Sequence, residues 1–155
     1  MHPISFSCIA TLNVPAEQFF HQILDLNCWP DFQDYHFIPG IRQAEFQVRT
    51  PEVVGSRIQV TNKDGSTHVE EIVEWQPDRR ITLVMQNFSP PLACLANRFE
   101  ETFQFDQTGS AIKVTRSLKL YPKSRLAALP LWLISWFLKA AIARHLRRTP
   151  ADPPG

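Results

Sequence analysis

The 155-residue chain predicts an α+β domain. Its expected core is a curved antiparallel β-sheet of about seven strands wrapped around a long C-terminal helix, with one or two short helices after the first strand. Three observations carry this. Apolar residues recur at every second position in seven segments, the period of strand side chains. From Ile41 onward these segments are separated by short stretches of turn chemistry, so each should pair with the next as a hairpin. After Tyr121-Pro122 the alternation stops, and "KSRLAALPLWLISWFLKAAIARHLRR" has the length and composition of a helix.

The elements follow in order. Ile4 to Val14 alternates loosely through Ile4, Phe6, Cys8, Ala10 and Leu12 and reads as a strand. In "NVPAEQFFHQILDL", Asn13 offers a cap and Pro15 suits an early helical position. Phe19, Phe20, Ile23 and Leu24 give that helix one apolar stripe. "NCWPDFQDYHFIPG" is a broken, aromatic-rich connection with room for one short helix. Strands are expected at 41–50, 56–63, 66–75, 80–88, 97–106 and 111–121. "PEVVG", "NKDGS", "QPDRR", "SPP" and "DQTGS" punctuate them, and "KDG" between Val60 and Val69 is a good hairpin signal. Pro130 should kink the long helix or start a second segment. "TPADPPG" reads as a frayed tail, so one domain is expected over 1–149 and a disordered tail over 150–155.

Composition narrows the function. "MHPISFS" lacks the basic and apolar regions of a secretory leader, and three widely spaced cysteines do not suggest a disulfide frame. Both point to a cytoplasmic protein, with Cys8, Cys28 and Cys94 as small buried hydrophobes. The five glycines are scattered, so no phosphate-cradling loop exists. No cluster has metal-ligand spacing, and neither GxSxG nor a cysteine with an evident histidine partner occurs. No cofactor, metal or nucleic-acid partner is therefore expected. Charge, however, is uneven. Residues 1–106 hold 7 basic against 14 acidic residues, whereas 107–155 hold 9 basic and one acidic. That asymmetry suits an anionic partner, or two halves that neutralise each other.

The stretches "LDLNCWPDF", "VVGSRIQV", "VEWQPDRRITLVM" and "RFEETFQFDQTGSAIKVTRS", in this order and spacing, resemble the START-like superfamily (SRPBCC, Bet v 1-like). Within it they look like the polyketide cyclase/dehydrase-like branch. The resemblance covers about residues 3–145. It implies the helix-grip fold and a deep, mostly apolar ligand cavity; members bind lipids, polyketides, hormones or quinones. One departure is "GSAIKVT", where the family often has two glycines followed by Thr and Arg.

Candidate site residues are those that break apolar rows. In "RFEETFQF", Glu101 shares a strand face with Phe99, Phe103 and Phe105. Arg116 interrupts Ile112, Val114, Leu118 and Leu120 in the same way. Folding the hairpin about Gln107–Gly109 brings position 101 near 115–117, so Glu101 and Arg116 should pair on the concave face. Such a pair is either an anchor for a ligand's polar end or a structural ion pair. Glu71, in phase with Val69, Val73 and Trp75, is a second carboxylate on an apolar row. Asn87 shares a face with Ile81, Leu83 and Met85. Tyr35 and His36 should border the cavity mouth, and His68 should lie on an exposed strand face. Phe32, Phe37, Phe46, Phe88 and Trp29 read as core or cavity wall. The expected ligand-binding set is thus Glu101, Arg116, Glu71, His36, Asn87, Phe46, Phe99 and Phe103.

"LAALPLWLISWFL" is apolar on nearly every side, more than one sheet-facing stripe requires. Pro130, Ser135 and Lys139 argue against a membrane span. The simpler expectation sinks this helix wholly in its own domain. The alternative turns Trp132 and Trp136 outward as a membrane-surface or homodimer contact, with Lys139, Arg144, His145, Arg147 and Arg148 as its basic end. The first functional expectation is a binder of an apolar or amphipathic small molecule that need not be an enzyme. The others are a cyclase/dehydratase-type enzyme and a peripheral membrane handler of lipid or quinone.

Overall fold

The computed structural model describes residues 2–148. The tail expected over 150–155 lies outside the described residues. Seven strands form one antiparallel sheet: β1 (Ile4–Leu12), β2 (Ile41–Val48), β3 (Arg57–Asn62), β4 (Thr67–Gln76), β5 (Arg80–Gln86), β6 (Ala96–Thr108) and β7 (Ala111–Pro122). Their spatial order is β1-β7-β6-β5-β4-β3-β2. Helix α1 (Ala16–Leu24) and a 3-10 turn (Leu26–Asp31) follow β1, and helix α2 (Arg125–Arg148) ends the described chain. This is the expected helix-grip arrangement.

Local chemistry explains the elements. Gly65 and Gly109 take positive φ, +88° and +64°, in the hairpin turns after β3 and β6. The β6–β7 turn is tighter than expected: Thr108 pairs with Ala111, so the loop is Gly109-Ser110. That moves the register; Glu101 lies opposite Leu118, and Arg116 opposite Phe103. Pro15 is the cap of α1, and Asn13 lies outside it. The Ser124 hydroxyl accepts a hydrogen bond from the Ala127 N–H at 3.1 Å and caps α2. Pro130 does not divide α2, which runs unbroken through it. The hydrogen bond it forfeits belongs to the carbonyl of Leu126, a residue in the solvent-exposed first turn.

One strand departs from plain alternation. Between Ile72 and Glu74 the β4–β5 register slips, leaving Val73 as the extra residue of a bulge. The faces exchange there. His68, Glu70 and Ile72 share the concave face, and Trp75 returns to it, with its ring 5.0 Å from that of Phe20. Glu71 and Val73 face outward, Glu71 directly opposite Arg57.

The core lies between the sheet's concave face and the helices. Ile58, Val60, Ile72, Ile81, Val114 and Leu118 are fully buried. Leu131, Ile142 and Leu146 of α2 close over them. Phe19 and Phe20 of α1 plug one end, their rings 5.2 and 4.8 Å from Phe105. Of the cysteines, Cys8 is buried, Cys28 half-buried and Cys94 exposed, so the buried-hydrophobe expectation fails for Cys94.

Gly40 fixes the connection between α1 and β2. Its N–H donates to Asp34 Oδ1, and its carbonyl accepts from Lys63 N–H at 2.9 Å. A Cβ there would meet backbone atoms of Phe32, Asp34 and Gln33 at 2.7–2.9 Å. Backbone cannot yield as a side chain tip can. Gly40→Ala should therefore cost about 1–3 kcal/mol in urea denaturation. An unchanged midpoint would mean that the connection shifts freely.

Candidate functional site

A cavity of about 790 Å³ lies between the concave sheet face, α1, the 3-10 turn and α2. That volume suits a small-molecule site. Its walls are mainly apolar. Phe99, Phe103, Leu83 and Met85 come from the sheet, and Ile134, Leu138 and Ile142 from α2. Trp29, Phe32 and Phe37 of the connection border it.

Four ionisable side chains from three strands interrupt the sheet's share of this lining. Arg116 Nε donates to Glu101 Oε2 at 2.9 Å, with side-chain exposures of 12% and 3%. The two residues are diagonal neighbours across β6 and β7, and the guanidinium also lies 4.9 Å from the Phe103 ring centre. His68 Nε2 meets Glu70 Oε1 at 3.0 Å on β4, and the His68 ring lies 5.9 Å from that of Phe88. Glu101 and Arg116 are brought together because each replaces an inward apolar residue on adjacent strands. His68 and Glu70 join them because the residues before the Val73 bulge point inward.

Burial raises the pKa of Glu101; Arg116 opposes the rise and the nearby Glu70 carboxylate adds to it. His145, projecting from α2 into the same cavity, has its pKa lowered to about 4, first by burial and then by Arg116. Its ring sits 5.4 Å from that of Phe32, and it is therefore an uncharged wall group at neutral pH. The four ionisable strand residues thus hold two carboxylates, one permanent cation and one imidazole. Among the described residues no group of three or more His, Cys, Asp and Glu could hold a metal ion.

The sequence-predicted residues divide. Glu101, Arg116, Phe99 and Phe103 line the cavity. Glu71, Asn87, His36 and Phe46 do not. For Glu71, counting from Trp75 crosses the bulge and so gives the wrong face. Asn87 follows the end of β5 with φ +56° and is exposed. His36 is exposed too, between the rings of Tyr35 and Phe137. Phe46 packs on the core edge, under the Arg49 guanidinium at 4.8 Å. His68, expected outside, is inside. The missed residues are Glu70, His68 and His145. A signal for Glu70 did exist: in "VEEIVEW" one of two adjacent glutamates must face inward, and counting from Ile72 selects Glu70.

The seven-stranded sheet, the long C-terminal helix and the cavity between them make up a Bet v 1-like helix-grip fold. Comparison with solved structures gives the same answer. Ara h 8.0201 superposes with a TM-score of 0.65 at 17% identity, over 95% of this chain and 99% of that one. TTHA0849 from Thermus thermophilus gives 0.69 at 15%, over 93% and 92%. Ginseng major latex-like protein 151 from Panax ginseng gives 0.63 at 16%, over 97% and 100%. At these identities the likeness is one of fold. No protein-family model matches the chain, and no curated protein matches it in sequence.

Proposed function

We propose that the protein binds an amphipathic small molecule, its apolar body in the cavity and its polar end against the Glu101–Arg116 and His68–Glu70 pairs. The observation that carries this is a set of convergent, poorly solvated polar groups in a mainly apolar chamber. Helix-grip proteins that take up lipids, polyketides or quinones make the reading reasonable for this fold. The charge inventory narrows it further. Two carboxylates face one obligate cation, so a third carboxylate would be repelled. A carbonyl, by contrast, can accept from the terminal guanidinium nitrogens, and a hydroxyl can both accept there and donate to a glutamate.

Native mass spectrometry of the purified protein, followed by calorimetric titration with dodecanol and with laurate, tests both parts. A bound apolar passenger, and dodecanol binding about tenfold tighter than laurate at neutral pH, are expected; like-charge placement in a desolvated site costs at least ~1.4 kcal/mol. No passenger and no binding of either amphiphile would overturn the cavity reading. Tighter binding of laurate would overturn only the charge preference. Glu101→Gln should narrow the difference by removing one of the repelling charges.

A second reading, cyclase/dehydratase-type catalysis, draws on the resemblance to that branch and on the His68–Glu70 pair. A carboxylate that orients an imidazole is a usual general-base arrangement. Ring closure of a poly-β-ketone analogue, abolished by His68→Phe with binding retained, would support it. Binding without turnover would leave the first reading alone.

A further inference from the structure

Helix α2 carries apolar residues on two opposite faces. At 3.6 residues per turn, Leu131, Ile134, Leu138 and Ile142 fall on the face that closes the core and cavity. The opposite face carries Leu126, Leu129, Trp132, Leu133 and Trp136, exposed by 91, 67, 45, 50 and 65%. They occupy a sector of roughly 120° and about 15 Å of helix axis. The two indole rings touch, 5.6 Å apart. The expectation that this helix is wholly sunk in its domain is thus corrected. A continuous exposed apolar stripe of this kind marks a contact surface.

The charges around it choose the partner. Arg125 precedes the stripe in the same sector, Lys139 flanks it, and Arg147 continues its line; all three are exposed. There is no acidic residue anywhere in α2. A second copy of the helix laid against this face would set cations against cations with no carboxylate from α2 to meet them. An anionic lipid surface meets them all, and paired tryptophans beside a basic rim suit the boundary between headgroups and acyl chains. By length and composition α2 could also cross a membrane. Its other face, however, is the wall of the protein's own core, so it would lie on the bilayer and not through it. The stripe also leads to the cavity. Phe137 on its flank packs against Phe37 at 4.6 Å, and Phe37 is a cavity-mouth residue, 57% exposed.

We propose that the outer face of α2 docks in the plane of an anionic bilayer through Leu129, Trp132, Leu133 and Trp136, with Arg125 and Arg147 on lipid phosphates and the cavity mouth at the edge of the contact. This inference is independent of what fills the cavity. The test is co-sedimentation of the whole protein with vesicles of phosphatidylcholine alone and of phosphatidylcholine with phosphatidylglycerol, at low and high salt. Tryptophan quenching by brominated lipid is read in parallel. Binding to the mixed vesicles, weakened by salt and accompanied by quenching, is expected. Trp132→Ser with Trp136→Ser should abolish it, and because both side chains are exposed the urea midpoint should hold. Arg147→Ser should weaken binding about fivefold. Absence of sedimentation with every vesicle overturns the proposal. So does a dimer in equilibrium sedimentation that Trp136→Ser dissociates while vesicles leave the tryptophans unquenched; that result would assign the face to a second copy.

Discussion

Arg116→Met should destabilise the protein by roughly 3–5 kcal/mol at neutral pH, the usual consequence of removing one partner from a buried ion pair. The guanidinium bonds Glu101 at 2.9 Å in a place where the carboxylate has almost no contact with solvent. Without it, Glu101 keeps its desolvation and its repulsion from Glu70 and loses the opposing charge. The variant should recover part of this loss on mild acidification. Burial already holds the pKa of Glu101 above its ordinary value. A carboxyl raised in the folded state binds its proton more readily there than in the unfolded chain. Its contribution is therefore complete below the unfolded pKa and is lost as pH rises through the folded one. Arg116→Met with Glu101→Leu should restore most of the stability, since a packed apolar pair removes both charges together. Urea denaturation of the single and double variants beside the parent, across pH, decides it. A single-variant loss under ~1 kcal/mol would mean a solvated surface pair.

The second large effect belongs to His145. Its folded pKa is about 4 against an ordinary 6.5, because the ring is buried and Arg116 is near. Between those values the unfolded chain binds the proton and the folded chain does not. Stability should therefore fall as pH drops from 6.5 towards 4, by about 3 kcal/mol over the window, and be fully present above it. His145→Leu should flatten this limb in a plot of unfolding free energy against pH. An unchanged acid limb would place the titration elsewhere.

Much of the architecture is readable from punctuation. Turn residues such as "KDG" and "DQTGS" are local, and they set six consecutive strands with little help from distant contacts. The Glu101–Arg116 pairing is readable for the same reason: both residues lie on one hairpin, where strand period and turn position nearly determine proximity. The exact loop is not, because any of several pairs within "DQTGS" can turn. What stays hidden depends on partners far along the chain. The Val73 bulge follows from packing Trp75 against Phe20, and nothing within β4 announces it. That one residue puts Trp75 out of phase with His68, Glu70 and Ile72, so counting back from Trp75 selects Glu71 where Ile72 selects Glu70. Helix α2 is ambiguous because it is apolar all round, and only the curvature of the sheet chooses which side is covered.

The strand order has a consequence for synthesis on the ribosome. Ile4 pairs with Leu120 and Leu12 with Ile112. The first strand to emerge thus waits for nearly the last, and at about 5–20 residues per second the delay is several seconds or more. β2 to β7 meanwhile close as successive local hairpins, leaving a six-stranded intermediate whose two edges are β2 and β7, the latter the seat that β1 must fill. β1 of the same chain is tethered nearby, yet β1 of a neighbouring nascent chain offers identical residues. Strand exchange between chains on one messenger is therefore the competitor that this topology must outrun, and the tether supplies the advantage in local concentration.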